Sequence, residues 1–112
     1  MSVENYPQLS NSKPRIYKYT FDNLQRGILT TTISGHPLRD ILDIQEQYLP
    51  DSGDTLVLWA VVDTSWMGYE HTLKLYCAYT GDPPPGADWF YVKTIQSKYD
   101  GLVYHLYLKH DW

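Results

Sequence analysis

An all-β fold, an antiparallel sandwich or small barrel of about seven strands, is what this 112-residue sequence predicts. Three observations carry that expectation. Short apolar or alternating runs recur at a spacing of roughly 8–12 residues, each closed by Gly, Pro, Asn, Asp or Ser. Tyr is abundant, with 11 Tyr beside 4 Trp and 2 Phe, and Tyr fits a pleated, half-buried strand. One run, L-V-L-W-A-V-V (56–62), is apolar without interruption and reads as a central strand covered on both faces.

The elements follow in chain order. Residues 1–13 are polar, with Pro7 and a Ser/Asn cluster, and read as a flexible arm before a single β domain over 14–112. R-I-Y-K-Y-T-F (15–21) alternates, with Tyr17, Tyr19 and Phe21 on one face. I-L-T-T-T-I-S (28–34) is β-branched, as an edge strand is. D-I-L-D-I-Q-E-Q-Y (40–48) puts Leu42, Ile44 and Tyr48 on one side if extended. The same region supports a short helix near 37–49, because Leu38, Ile41, Leu42 and Leu49 stand near helical spacing behind Pro37. That alternative would make the fold α+β. P-D-S-G-D (50–54) favours the strand, since it resembles a hairpin connection into 56–62. H-T-L-K-L-Y-C-A-Y (71–79) lines up Leu73, Leu75, Cys77 and Tyr79. W-F-Y-V-K-T-I-Q-S (89–97) follows, and L-V-Y-H-L-Y-L-K-H (102–110) lines up Leu102, Tyr104, Leu106 and Leu108. Between Tyr79 and Trp89 the chain reads T-G-D-P-P-P-G-A-D, a stiff connection between two strands.

Composition removes several function classes. Net charge is -4 and the nine Lys and Arg are scattered singly, which argues against double-stranded nucleic acid as partner. Cys77 is the sole cysteine, so neither an internal disulfide nor a cysteine-based zinc site is expected. The first residues lack a basic and apolar leader, and no apolar run reaches spanning length; a soluble protein off the membrane is expected. No cofactor motif stands out. G-D-P-P-P-G has two glycines but lacks the Lys-Ser/Thr and the N–H groups of a phosphate loop.

A catalytic or metal constellation is not legible either. His36, His71, His105 and His110 include no pair at the spacing that aims two rings at one metal. Cys77 reads as a small buried hydrophobe. Asp43 with Glu46, or Asp82 with Asp88, are carboxylate pairs of the kind any surface supplies. The remaining candidates are aromatic and cationic residues in or beside loops. Trp66, Tyr69, Trp89 and Tyr91, with Asp82 on the proline loop and Arg39 and Lys74 as phosphate contacts, form the expected ligand- or partner-binding set.

I-Y-K-Y (16–19), D-I-Q-E-Q (43–47), L-W-A-V-V-D (58–63), T-G-D-P-P (80–84) and G-L-V-Y-H-L-Y (101–107) together resemble a family of small uncharacterised proteins common in bacteriophage and prophage genomes. The Trp66–Glu70 stretch and the long arm depart from that pattern. The resemblance implies a compact β fold and a phage setting, and it brings no catalytic residues; together with the missing leader this makes the host cytoplasm the expected location. The expected function is therefore non-enzymatic: counter-defence by binding and sequestering a small nucleotide-type ligand, with a homo-oligomer left open. The alternatives are a protein–protein inhibitor of a host defence effector, of an anti-CRISPR kind, and a virion or assembly component.

Overall fold

The computed structural model describes residues 14–49, 53–65 and 68–111. The expected arm over 1–13 and Trp66 lie outside the described residues, as do the first three residues of P-D-S-G-D and the side chain of Tyr69. Among the described residues there are seven strands: β1 (Pro14–Phe21), β2 (Gly27–Gly35), β3 (Leu38–Leu49), β4 (Gly53–Asp63), β5 (Tyr69–Tyr79), β6 (Phe90–Gln96) and β7 (Val103–Asp111). They form two antiparallel sheets, β1-β4-β3 and β2-β5-β7-β6. The fold is the predicted all-β sandwich. No helix long and apolar enough to cross a membrane occurs among the described residues.

The alternation of the sequence explains the layers. Leu56, Leu58, Ala60 and Val62 of β4 face Leu73, Leu75 and Cys77 of β5 and Tyr104, Leu106 and Leu108 of β7 across one core. Val57 and Val61, on the other face of β4, are buried as well, so the uninterrupted apolar run is covered on both sides. Each fully buried Leu is worth about 1.5–3 kcal/mol over an exposed one. β1 enters the core progressively: Tyr17 is exposed, Tyr19 is partly buried and Phe21 is fully buried.

The helix alternative for 37–49 is overturned, because Leu38–Leu49 is one strand paired to β4. Its register slips twice, at Leu38/Asp40 and at Ile41/Asp43. Arg39 and Leu42 are therefore the extra residues of two β-bulges. Each bulge restores the next inward position three residues on, so Leu38, Ile41 and Ile44 face the core and mimic a helical period. The expected Leu42, Ile44, Tyr48 row is corrected for the same reason. Ile44 is buried, whereas Leu42 and Tyr48 are 40% and 56% exposed. Leu102 also leaves its expected row; it precedes β7 and is exposed.

The four-stranded sheet has one topological feature that positions everything on its outer face. β7 lies between β5 and β6 and is antiparallel to both, so β5 and β6 run the same way. β5 ends with Tyr79 beside Tyr104, while β6 begins with Phe90 beside Leu108. The connection over 80–89 must return four residues along β7, about 13 Å, while crossing two strand spacings, about 10 Å. A tight turn cannot do this. The proline run supplies an extended strap that needs no ladder hydrogen bonds of its own.

Candidate functional site

The strap claims Trp89, one of the aromatic residues expected to meet a ligand or partner. Tyr76 donates its hydroxyl to Pro83 O at 3.2 Å. Trp89 lies half-buried with its ring 6.0 Å from Tyr76, and Lys109 sits 5.7 Å over the indole while pairing with Asp88 at 3.0 Å. At the start of the strap, Gly81 takes a φ of 100°, which suits glycine, and Asp82 N donates to Tyr79 O at 3.0 Å. Asp82 accepts from Tyr79 N at 2.8 Å and from both forks of Arg26, the Nε at 2.9 Å. These bonds, the Tyr79 amide first, hold the Asp82 carboxyl below its ordinary value. Asp82 and Trp89 are thus anchors of the strap. Lys74 stands on the same outer face, opposite Thr30 and Lys109.

Arg39 and Tyr91 come together elsewhere. β3 and β6 are the edge strands on one flank of the sandwich, and a groove of about 370 Å³ opens between Leu38–Asp43 and Phe90–Val92. β6 has its own register slip between Tyr91 and Lys93, which makes Val92 the extra residue. All three bulge residues, Arg39, Leu42 and Val92, line this one groove. Bulges concentrate where a strand must re-aim side chains at a site. Here Val92 turns into the core, and its neighbours Phe90 and Tyr91 remain 42% and 55% exposed.

The charges around the groove are fixed in pairs. Arg39 Nη2 donates to Asp63 Oδ2 at 2.6 Å, and Ser65 donates through its amide and its hydroxyl to Asp63 Oδ1. Arg39 and then Ser65 hold the Asp63 carboxyl down to about 2. Deeper along the flank, Lys93 Nζ crosses between the sheets to Asp43 Oδ1 at 2.9 Å and Ile44 O at 3.0 Å. Gln45 and Lys93 together lower the Asp43 carboxyl. The groove therefore has an apolar and aromatic wall, one guanidinium, and the carboxylates of Asp40 and Asp43.

Two further constellations were beyond sequence reasoning. At the far end of the same flank, Ser97 Oγ donates to Glu46 Oε2, and Lys98 N donates to Glu46 Oε1 at 2.8 Å. Asp54 Oδ2 lies 3.4 Å from the same hydroxyl. Burial first, and Glu46 second, push the Asp54 carboxyl up to about 6. On the outer face of the four-stranded sheet, His105 stands between two threonines. Its Nε2 is 2.9 Å from Thr80 Oγ1, and its Nδ1 is 2.9 Å from Thr94 Oγ1, which in turn is 2.6 Å from Tyr91 Oη. The one signal in the sequence is that Thr80 and His105 both fall within short motifs, T-G-D-P-P and V-Y-H-L; the fold makes those motifs neighbours.

Residues 12–111 match the model of a family described as a domain of unknown function, DUF7352. The chain belongs to that family, which agrees with the expectation of an uncharacterised family. No curated protein and no solved structure matches it.

Proposed function

We propose that this DUF7352 member is a binding protein that captures a nucleotide-type ligand in the groove between β3 and β6. The observation that carries the reading is the convergence of three β-bulges on one groove, where they present Arg39, Phe90 and Tyr91 together. Its volume of about 370 Å³ falls in the range of small-molecule sites. Phe90 offers a ring face for a base, and stacking of this kind is worth about 1–3 kcal/mol per base, while the Tyr91 ring turns to the outer face against Tyr107 and stands at the groove's rim. Arg39 has a planar fork of five N–H donors, and the bond to Asp63 Oδ2 takes one of them. A phosphate accepts from that fork well. Asp40 and Asp43 on the same wall oppose a second and third phosphate, so the chemistry favours a nucleoside monophosphate or a cyclic nucleotide over a triphosphate.

In the phage setting that the sequence resemblance implies, sequestering such a ligand in the host cytoplasm would silence a nucleotide signal of host defence. The exposed Leu42, Phe90 and Tyr91 at the rim also favour a second reading, in which the same flank grips a host defence protein. Thermal-shift and calorimetric titration with mono- and cyclic nucleotides separates the two. The expected result is a stabilising shift, with an affinity that Arg39→Ala and Phe90→Ala each lower by about tenfold. Absence of any shift at millimolar nucleotide would sink ligand capture. A protein that co-purifies with the wild type and is lost with Tyr91→Ala would support the second reading.

A further inference from the structure

We propose that Thr80 and His105 form a nucleophile and general-base pair for acyl transfer, in a second concavity that the binding groove does not include. The concavity holds about 260 Å³ and is lined by Thr80, Gly81, Asp82, Pro83, Pro84 and His105, among others. Thr80 follows the last residue of β5 and leads the strap. The strap is tied down at Asp82 and Pro83, so the Thr80 hydroxyl projects from a fixed turn. Such an arrangement suits a reactive group, because a rigid scaffold holds it at a strand end.

The geometry has the three parts that an activated hydroxyl requires: a nucleophile, a base within hydrogen-bond reach, and a third group that orients the base. With the ring hydrogen on Nδ1, His105 donates to Thr94 Oγ1, which shares a further hydrogen bond with Tyr91 Oη. That tautomer leaves Nε2 as the acceptor for the Thr80 hydroxyl at 2.9 Å. The β6 bulge makes the relay possible. Tyr91 and Thr94 are three apart and would face opposite ways on a regular strand; the extra Val92 brings both to the outer face.

The reaction balances without a metal or a redox partner. Thr80 Oγ1 attacks the carbonyl carbon of an ester as its proton passes to His105 Nε2. The bond to the leaving alcohol breaks, and His105 returns the proton to that oxygen. Water, deprotonated by His105, then attacks the acyl carbon; the bond to Thr80 Oγ1 breaks, His105 returns the proton to that oxygen, and the acid is released. Thr80 and His105 are the catalytic residues; Thr94 and Tyr91 position the imidazole. The substrate class is a small ester whose leaving group is uncharged and aromatic, so that it packs on Tyr107 at the wall of the concavity.

The test uses p-nitrophenyl acetate with the whole chain. The wild type is expected to release nitrophenolate about 10²-fold faster than Thr80→Ala or His105→Gln, a typical scale for one general base. Thr80→Ser keeps the activity, and peptide mapping after a quench finds the acetyl group on Thr80. Melting temperatures of the variants confirm that each is folded. Thr94→Val lowers kcat and leaves KM unchanged, and Thr94→Ser restores kcat. Turnover by Thr80→Ala at the wild-type rate overturns the proposal, as does acetyl found on His105 or a lysine instead of Thr80. The ester carries no nucleotide and Thr80→Ala leaves Arg39 in place, so this proposal and ligand capture fail separately.

Discussion

At the scale of single residues, Asp54 and Asp63 pull the pH dependence of stability in opposite directions. Asp54 is raised to about 6 in the fold, from about 3.9 in an unfolded chain. Its contribution is fully present below about pH 4 and is lost as pH rises through about 6. Asp63 is lowered to about 2, so its contribution is present above about pH 4 and is lost as pH falls toward 2. Urea unfolding is expected to show maximal stability near about pH 4–5. Asp54→Asn should raise the urea midpoint at pH 7 and leave it unchanged at pH 4; equal midpoints at pH 7 would refute the assignment. Cys77 offers a simpler check. It is fully buried, and burial pushes its thiol up to about 12, so a disulfide reagent should modify it only as fast as the protein unfolds. Its burial was legible in the sequence from its row with Leu73 and Leu75. The proximity of Glu46 to Ser97 was not, because no local pattern links residues so far apart in the chain.

At the scale of elements, β3 shows why one strand was ambiguous and the others were not. Periodicity of two identifies a strand only while its register is regular. Two bulges close together put Leu38, Ile41 and Ile44 on one face, which is the spacing that a helix would produce. The hairpin signal at P-D-S-G-D points the right way against it. The same bulges that obscure the strand also build the groove, so the least legible element is the one nearest the candidate site. The strap carries a prediction of its own. Gly81 stands at a φ of 100°, and a methyl group added to its Cα would find nothing within 4 Å, so Gly81→Ala meets backbone strain without a clash. The expected cost is about 1–3 kcal/mol, read as a lower urea midpoint, with faster hydrogen exchange at the Asp82 amide. A variant as stable as the wild type would mean that the turn relaxes.

At the scale of the whole molecule, stability rests on the single layer between the sheets. Leu75→Ala, in the middle of β5 and fully buried, should cost about 2–5 kcal/mol in denaturant unfolding, against about 0.2–1 kcal/mol for the ion-pair part of Lys93→Met. If the two cost the same, the flank clamp rather than the core would dominate. The sandwich as a whole was legible because alternation, turn residues and the apolar run at 56–62 are local signals. The sites were not, since Arg39 meets Tyr91, and Thr80 meets His105 and Thr94, only through the order of strands. That order has a consequence for how the chain is made. β7 follows β6 in the chain, yet it stands between β5 and β6 in its sheet. β6 pairs within its sheet only with β7, so during synthesis it has no ladder partner until Val103–Asp111 has emerged. Until then its backbone N–H and C=O groups are an open edge, the kind of edge that invites pairing with another chain.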